Sequence, residues 1–168
     1  ASLGEARGEH REQQPPDRRE ARGRREQHPV DGSAPARQRQ RLLDQDPPLE
    51  AWIILDEGAI RRNIGGEAIM RHQLEHLIKA SRWPNVTLQV LGFECGAHAG
   101  LTGPFAILEF PERTDSDVAY TESLGGMIYL EKDREVRSCA EAFDRMRAAA
   151  LSPAASVELI QQVLDGLD

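Results

Sequence analysis

The chain has 168 residues, 39% of them hydrophobic, with 21 Lys or Arg against 28 Asp or Glu for a net charge of −7. That length suits one ordinary domain. No run of about eighteen apolar residues would cross a bilayer, and the start carries no secretory leader pattern. The charge is uneven: residues 1–41 hold ten Arg and seven acidic residues, net +3, and the rest holds eleven basic and twenty-one acidic residues, net −10, which argues against a nucleic-acid surface on the acidic part.

Residues 1–35 contain two large apolar side chains, Leu3 and Val30, among Arg, Glu, Gln, Pro and Gly. Such a stretch cannot bury enough surface to offset its ordering entropy, so it is expected to be disordered. A second expectation of equal standing is that it is out-of-frame sequence, since wrong-frame reading of a GC-rich gene gives this composition. The arginine cluster Arg18-Arg19, Arg22, Arg24-Arg25 reads as a solvated tail, because acids interleave it and no aromatics accompany it. The last turns of a helix are expected between Ala36 and Leu43, stopped by Pro47-Pro48.

Ala51–Leu55 is a short, dense, β-prone run. Met70, Leu74, Leu77 and Ile78 then recur at helical spacing until Pro84, and Val86–Leu91 reads as another strand. Strand, helix and strand make a βαβ unit with the two strands parallel. A glycine-rich loop follows from Glu94 to Pro104. Further strands are expected over Phe105–Phe110, Val118–Glu122 and Met127–Leu130, the last two joined by a hairpin bend. Asp133 is expected to cap a helix striped by Val136, Ala140, Phe143 and Met146. Ser152-Pro153 starts a second, with Val157, Ile160, Leu164 and Leu167 at 3–4–3 spacing. The predicted class is α/β (α+β): a βαβ unit extended by further strands into one mixed sheet, with two C-terminal helices packed on it.

Candidate sites compete with plainer readings. His72, Glu75 and His76 spell the inverted zincin pattern, which a helix would present as two ligands and a base. Three fixed positions are weakly specific, and a solvated helix surface is the favoured reading. Cys95 and His98, between glycines, fix no nucleophilic geometry by themselves. The loop that holds them nevertheless leaves the carboxyl end of a parallel strand, where open α/β sheets bind ligands. Asp56, Glu57 and Arg61 follow the first strand at that same end, so the loop from Gly96 to Gly103 is expected beside Asp56 and Arg61. Cys95 and Cys139 are expected as two free thiols in a reducing compartment.

Separated blocks, in order, carry a family likeness: Trp52–Arg61, Gly65-Gly66, Met70, Gln73–Leu77, Pro84–Val86, Gln89–Leu91, Gly96–Gly100, Gly103–Phe105, Leu108–Phe110, Tyr120–Glu122, Tyr129–Glu131 and Arg147–Pro153. Across about Ala36 to Leu167 the chain resembles the uncharacterised C-terminal domain of actinomycete XRE-type helix-turn-helix transcription regulators. The resemblance implies a cytoplasmic regulator whose DNA contact is made by a helix-turn-helix that these residues do not contain. It implies a sensing or docking role for residues 36–168, in a family for which no enzymatic activity is established; no enzyme activity and no cofactor are expected. It also implies a small acidic partner protein or a small ligand as the thing bound. A homodimer is a further open expectation. Asp56, Glu57, Arg61, His98, Tyr120 and Glu122 are the residues expected to bind that ligand or partner. The rival from another class is a zinc-dependent hydrolase using His72, Glu75 and His76.

Overall fold

The computed structural model describes residues 39–111, 116–123 and 125–167. The expectations for residues 1–35 lie outside this range. After a 3₁₀ turn at Arg41–Leu43 come β1 (Ala51–Asp56), the short helix α1 (Glu57–Arg61), α2 (Glu67–Ala80) and β2 (Val86–Leu91). Strands β1 and β2 pair in parallel, from Ala51 opposite Val86 to Asp56 opposite Leu91, which is the predicted βαβ unit. Asn85 pins its entrance: the side-chain amide donates to the carbonyls of Leu43 (3.0 Å) and Leu49 (2.8 Å).

The strand pleat sends alternate side chains to opposite faces. Ile53 and Leu55 turn towards a core formed by Ile60 of α1, Leu74 and Ile78 of α2, Leu88 and Val90 of β2, and Ile160, Val163 and Leu164 of the last helix. Leu74, Val90 and Ile160 are wholly excluded from solvent, each contributing about 1.5–3 kcal/mol of transfer free energy. The periodicity of α2 therefore reads correctly: Met70, Leu74 and Ile78 are buried.

Three further strands form a separate antiparallel sheet in the order β3 (Phe105–Leu108), β4 (Val118–Ser123), β5 (Gly126–Leu130). The α/β class and all five predicted strands stand, but the single mixed sheet is corrected to two. The reason lies on the free edge of β2. The Val90 carbonyl accepts from Leu151 N (2.9 Å), and the Val90 amide donates to Ser156 Oγ (2.9 Å). A strand that should have extended the sheet finds those backbone groups already satisfied. Strand β3 also ends at Leu108 rather than Phe110. There the Phe110 amide donates to the Asp117 carboxylate (3.2 Å), and Pro111 has no amide to offer a ladder.

Helix α3 spans Asp133–Ala149 and α4 spans Pro153–Asp165. Asp133 is the first helical residue of α3 rather than its cap, a position held by Lys132. Ser152 does cap α4, its Oγ accepting from Ala155 N (3.2 Å) with Pro153 next in line. Helices α2 and α4 cover the core face of the two-stranded sheet, and Arg71 of α2 donates to the Leu167 carbonyl just past α4. Helix α3 lies against the opposite face and against β3 and β4. On that side Trp52 of β1 donates from Nε1 to Gln89 Oε1 (2.8 Å), and the Arg147 guanidinium of α3 sits 4.7 Å over the indole. Buried Gln89 donates in turn to the Leu151 carbonyl (2.8 Å), so it satisfies the α3–α4 connection as well. Among the described residues no helix is long and apolar enough to cross a membrane.

Candidate functional site

Strand β1 delivers Asp56 and Glu57 to its carboxyl end, where α1 begins. Asp56 caps that helix, with Oδ1 accepting from Gly58 N at 2.7 Å. Its other oxygen, Oδ2, lies 3.1 Å from His98 Nε2. A carboxylate only accepts, so Nε2 carries the hydrogen, and in the tautomer with that single hydrogen Nδ1 is an acceptor. The His98 side chain is only 9% exposed. Nδ1 is buried, and among the described residues no group hydrogen-bonds to it.

The sequence around His98 explains how the ring enters this position. Its loop runs from Gly96 (φ 70°) to Gly103 (φ 140°), backbone conformations that L side chains avoid. At Gly100 a Cβ would come within 3.1 Å of His98 Nδ1 and 3.2 Å of Met146 Sδ. The absent side chain is what lets the imidazole lie close to the backbone beneath α3.

Glu57 performs two tasks beside this pair. It is buried, accepts from Arg61 Nε through Oε1 (2.6 Å) and accepts from Phe93 N through Oε2 (2.8 Å). It thereby ties the start of α1 to the 3₁₀ turn Phe93–Cys95 that follows β2. Both carboxylate oxygens being used, its burial carries no unpaired oxygen. Within the expected Gly96–Gly103 loop His98 meets Asp56 directly, whereas Arg61 is tied through Glu57 only to Phe93, just before that loop; both segments leave the same end of the parallel strands.

Four of the six expected residues, Asp56, Glu57, Arg61 and His98, come together. Tyr120 and Glu122 do not join them. They lie on β4 in the other sheet, Tyr120 with its ring 6.1 Å from that of Tyr129 and Glu122 opposite Met127. Among the described residues no hydrogen bond or ion pair links either to the cluster. Gly100 and Met146 were missed as members of the site. Nothing at the sequence level ties a methionine of the α3 stripe to Gly100, 46 positions earlier, whereas the Glu57–Arg61 pair follows from its helical spacing.

The other candidates are not assembled. His72 and Glu75 are exposed on α2, and His76 packs edge-on to Trp83 with ring centres 6.4 Å apart. Among the described residues no group of three or more His, Cys, Asp or Glu side chains is arranged to hold a metal ion. Cys95 and Cys139 are both free thiols. Cys95 contacts the Gly96 carbonyl (3.6 Å), not His98. Burial and the nearby Glu135 carboxylate push the Cys139 thiol above its usual range.

No curated protein and no solved structure matches this chain. A family model described as "Domain of unknown function (DUF5753)" matches residues 6–162, a span that takes in most of the segment read from composition as lying outside the domain. With the match running through β1, the His98 loop, both sheets and all but the end of α4, the chain belongs to the DUF5753 family.

Proposed function

We propose that this chain is the sensing or protein-interaction part of a helix-turn-helix transcription regulator, working in the cytoplasm by binding rather than by catalysis. The single observation that supports a binding site is the Asp56–His98 pair with its unpartnered Nδ1 at the carboxyl end of the parallel strands. A buried acceptor without a donor is costly, by about 1–3 kcal/mol. A ligand or partner group bearing an N–H or O–H would relieve that cost. Arg61 at the end of α1 and Arg62 just after it are exposed and suit an acidic partner or an anionic ligand.

The same geometry offers a route outwards. His98 lies against Gly100, which stands against Met146 of α3. One residue on, Arg147 covers Trp52, and the end of α3 leads into Leu151 and the first turn of α4, whose Ser156 grips β2. Occupation of the His98 site would favour one seating of α3 over another, and the DNA-binding part would respond to that shift in population.

Chromatin immunoprecipitation of the natural gene product in its own host tests this. The expected result is enrichment at a small set of promoters, altered by His98→Ala at unchanged protein level. A wild-type protein that enriches no promoter would sink the regulator reading. Enrichment indifferent to His98→Ala would remove the site from it.

A further inference from the structure

Among the described residues the antiparallel sheet has two open edges, and they are unlike. Strand β3 is bracketed by Pro104 and Pro111 and followed by Glu109, features that discourage an incoming strand. Strand β5 has no such protection. Its five residues, Gly126 to Leu130, include no charge and no proline. Three large apolar side chains in succession are open to solvent: Met127 at 46%, Ile128 at 51% and Tyr129 at 60% exposure. Scattered exposed hydrophobics are ordinary, but three consecutive ones on an edge strand are not.

Strand alternation places Met127 and Tyr129 on the face carrying Tyr120, and Ile128 on the face carrying Thr121 and the buried Ala119. Both faces of β5 are therefore apolar. Among the described residues only β4 pairs with it, so every second residue turns its amide and carbonyl to the other edge. Those groups are matched by another extended strand, not by a helix or a small molecule.

We propose that the strand completing this edge is β5 of a second copy of the chain, antiparallel, about a two-fold axis at Ile128. The strand's own sequence favours this occupant. Pairing about Ile128 sets Ile128 against Ile128 of the second copy, Met127 against Tyr129 of the second copy, and Gly126 against Leu130 of the second copy. Each exposed apolar side chain gains an apolar counterpart. The nearest charged residue, Glu131, falls opposite Gly125 of the second copy, so no like charges meet. A foreign strand finds no charge on β5 by which to be selected, whereas the two-fold arrangement is self-complementary, as an isologous contact must be. The result is a continuous six-stranded sheet in the order β3-β4-β5-β5-β4-β3. The proposal stands apart from the regulator reading and from the His98 site, neither of which involves β5.

Sedimentation equilibrium of the full chain, up to roughly 200 µM because a strand-edge interface is at the small end of the size range, tests it. Wild type is expected to shift from monomer to dimer with concentration. Ile128→Lys and Ile128→Glu, which place like charges together on the axis, are each expected to remain monomeric. Their equimolar mixture is expected to recover the dimer, an outcome that mere destabilisation would not give. Ile128→Cys, treated with diamide beside a wild-type control that contains Cys95 and Cys139, is expected to yield a covalent dimer. Directly opposed residues lie about 4.5–5.5 Å apart at Cα, within disulfide reach. A wild-type chain that stays monomeric throughout, a dimer unmoved by Ile128→Lys, or an Ile128→Cys protein that does not cross-link beyond the control would each overturn the proposal. The cross-linking arm holds even if the charged variants fail to fold.

Discussion

Replacing Ser156 by alanine should loosen the junction that keeps the two sheets apart. Ser156 is fully excluded from solvent, and its Oγ is the acceptor for the Val90 amide at 2.9 Å. The same hydroxyl lies 3.4 Å from the Leu151 carbonyl, to which it donates. Alanine removes the acceptor and leaves the amide of a wholly buried residue unpaired, at a cost of about 1–3 kcal/mol. The lost volume is a single oxygen, so a cavity adds little. Taking about 2 kcal/mol, and about 3–5 °C per kcal/mol for a fold of this size, the thermal midpoint should fall by roughly 6–10 °C. Circular dichroism gives the midpoint, and amide hydrogen exchange gives the location. Val90 should lose protection well beyond the global change, whereas Leu74 should follow it. A midpoint shift under about 2 °C, or unchanged relative protection at Val90, would refute the claim that this hydroxyl closes the β2 edge.

At the candidate site, Asp56→Ala removes both the cap of α1 and the partner of His98, and should cost about 1–2 kcal/mol in denaturant unfolding. Asp56→Asn keeps an oxygen for Gly58 and should cost less. Nitrogen NMR of His98 should report a proton on Nε2 in wild type and a changed tautomer balance in Asp56→Ala, and equal spectra would refute the pairing. The double change His72→Ala with His76→Ala should alter stability by under about 0.5 kcal/mol, since one side chain is exposed and the other only rests on Trp83. Metal analysis decides the hydrolase rival at the same time: one tightly held zinc per wild-type chain, lost in the double variant, would revive it. Cys139 should be alkylated more slowly than a model thiol at pH 8, because its thiolate is disfavoured. Its proton is held in the folded chain above pH 9.0, where the unfolded chain releases it. That contribution to stability is complete below 9.0 and declines as pH rises through the folded value. Alkylation at the model rate would contradict the burial of the thiol.

Local chemistry made much of this protein legible from its residues. The apolar run at Ala51–Leu55, the 3.6-residue period from Met70 to Ile78 and the stop at Pro84 specify the βαβ unit, since each depends only on neighbours along the chain. The hand of that crossover then brings the Gly96–Gly103 loop to Asp56, so the pairing of His98 with that end of the sheet was also within reach. Ser152-Pro153 marks the start of α4 for the same local reason. Tertiary structure alone decided the rest. Whether β3 joins β2 depends on the Val90 edge being free, and a hydroxyl at Ser156 and an amide at Leu151 occupy it from more than sixty residues away. Tyr120 and Glu122, expected at the site beside Asp56 after the family resemblance, lie on β4 in the other sheet. The seating of His98 between Gly100 and Met146 belongs to the same class of fact. Periodicity records which side of an element is apolar, but hydrogen-bond satisfaction at a strand edge is settled only when distant segments meet, because the groups involved belong to the backbone and are the same in every residue.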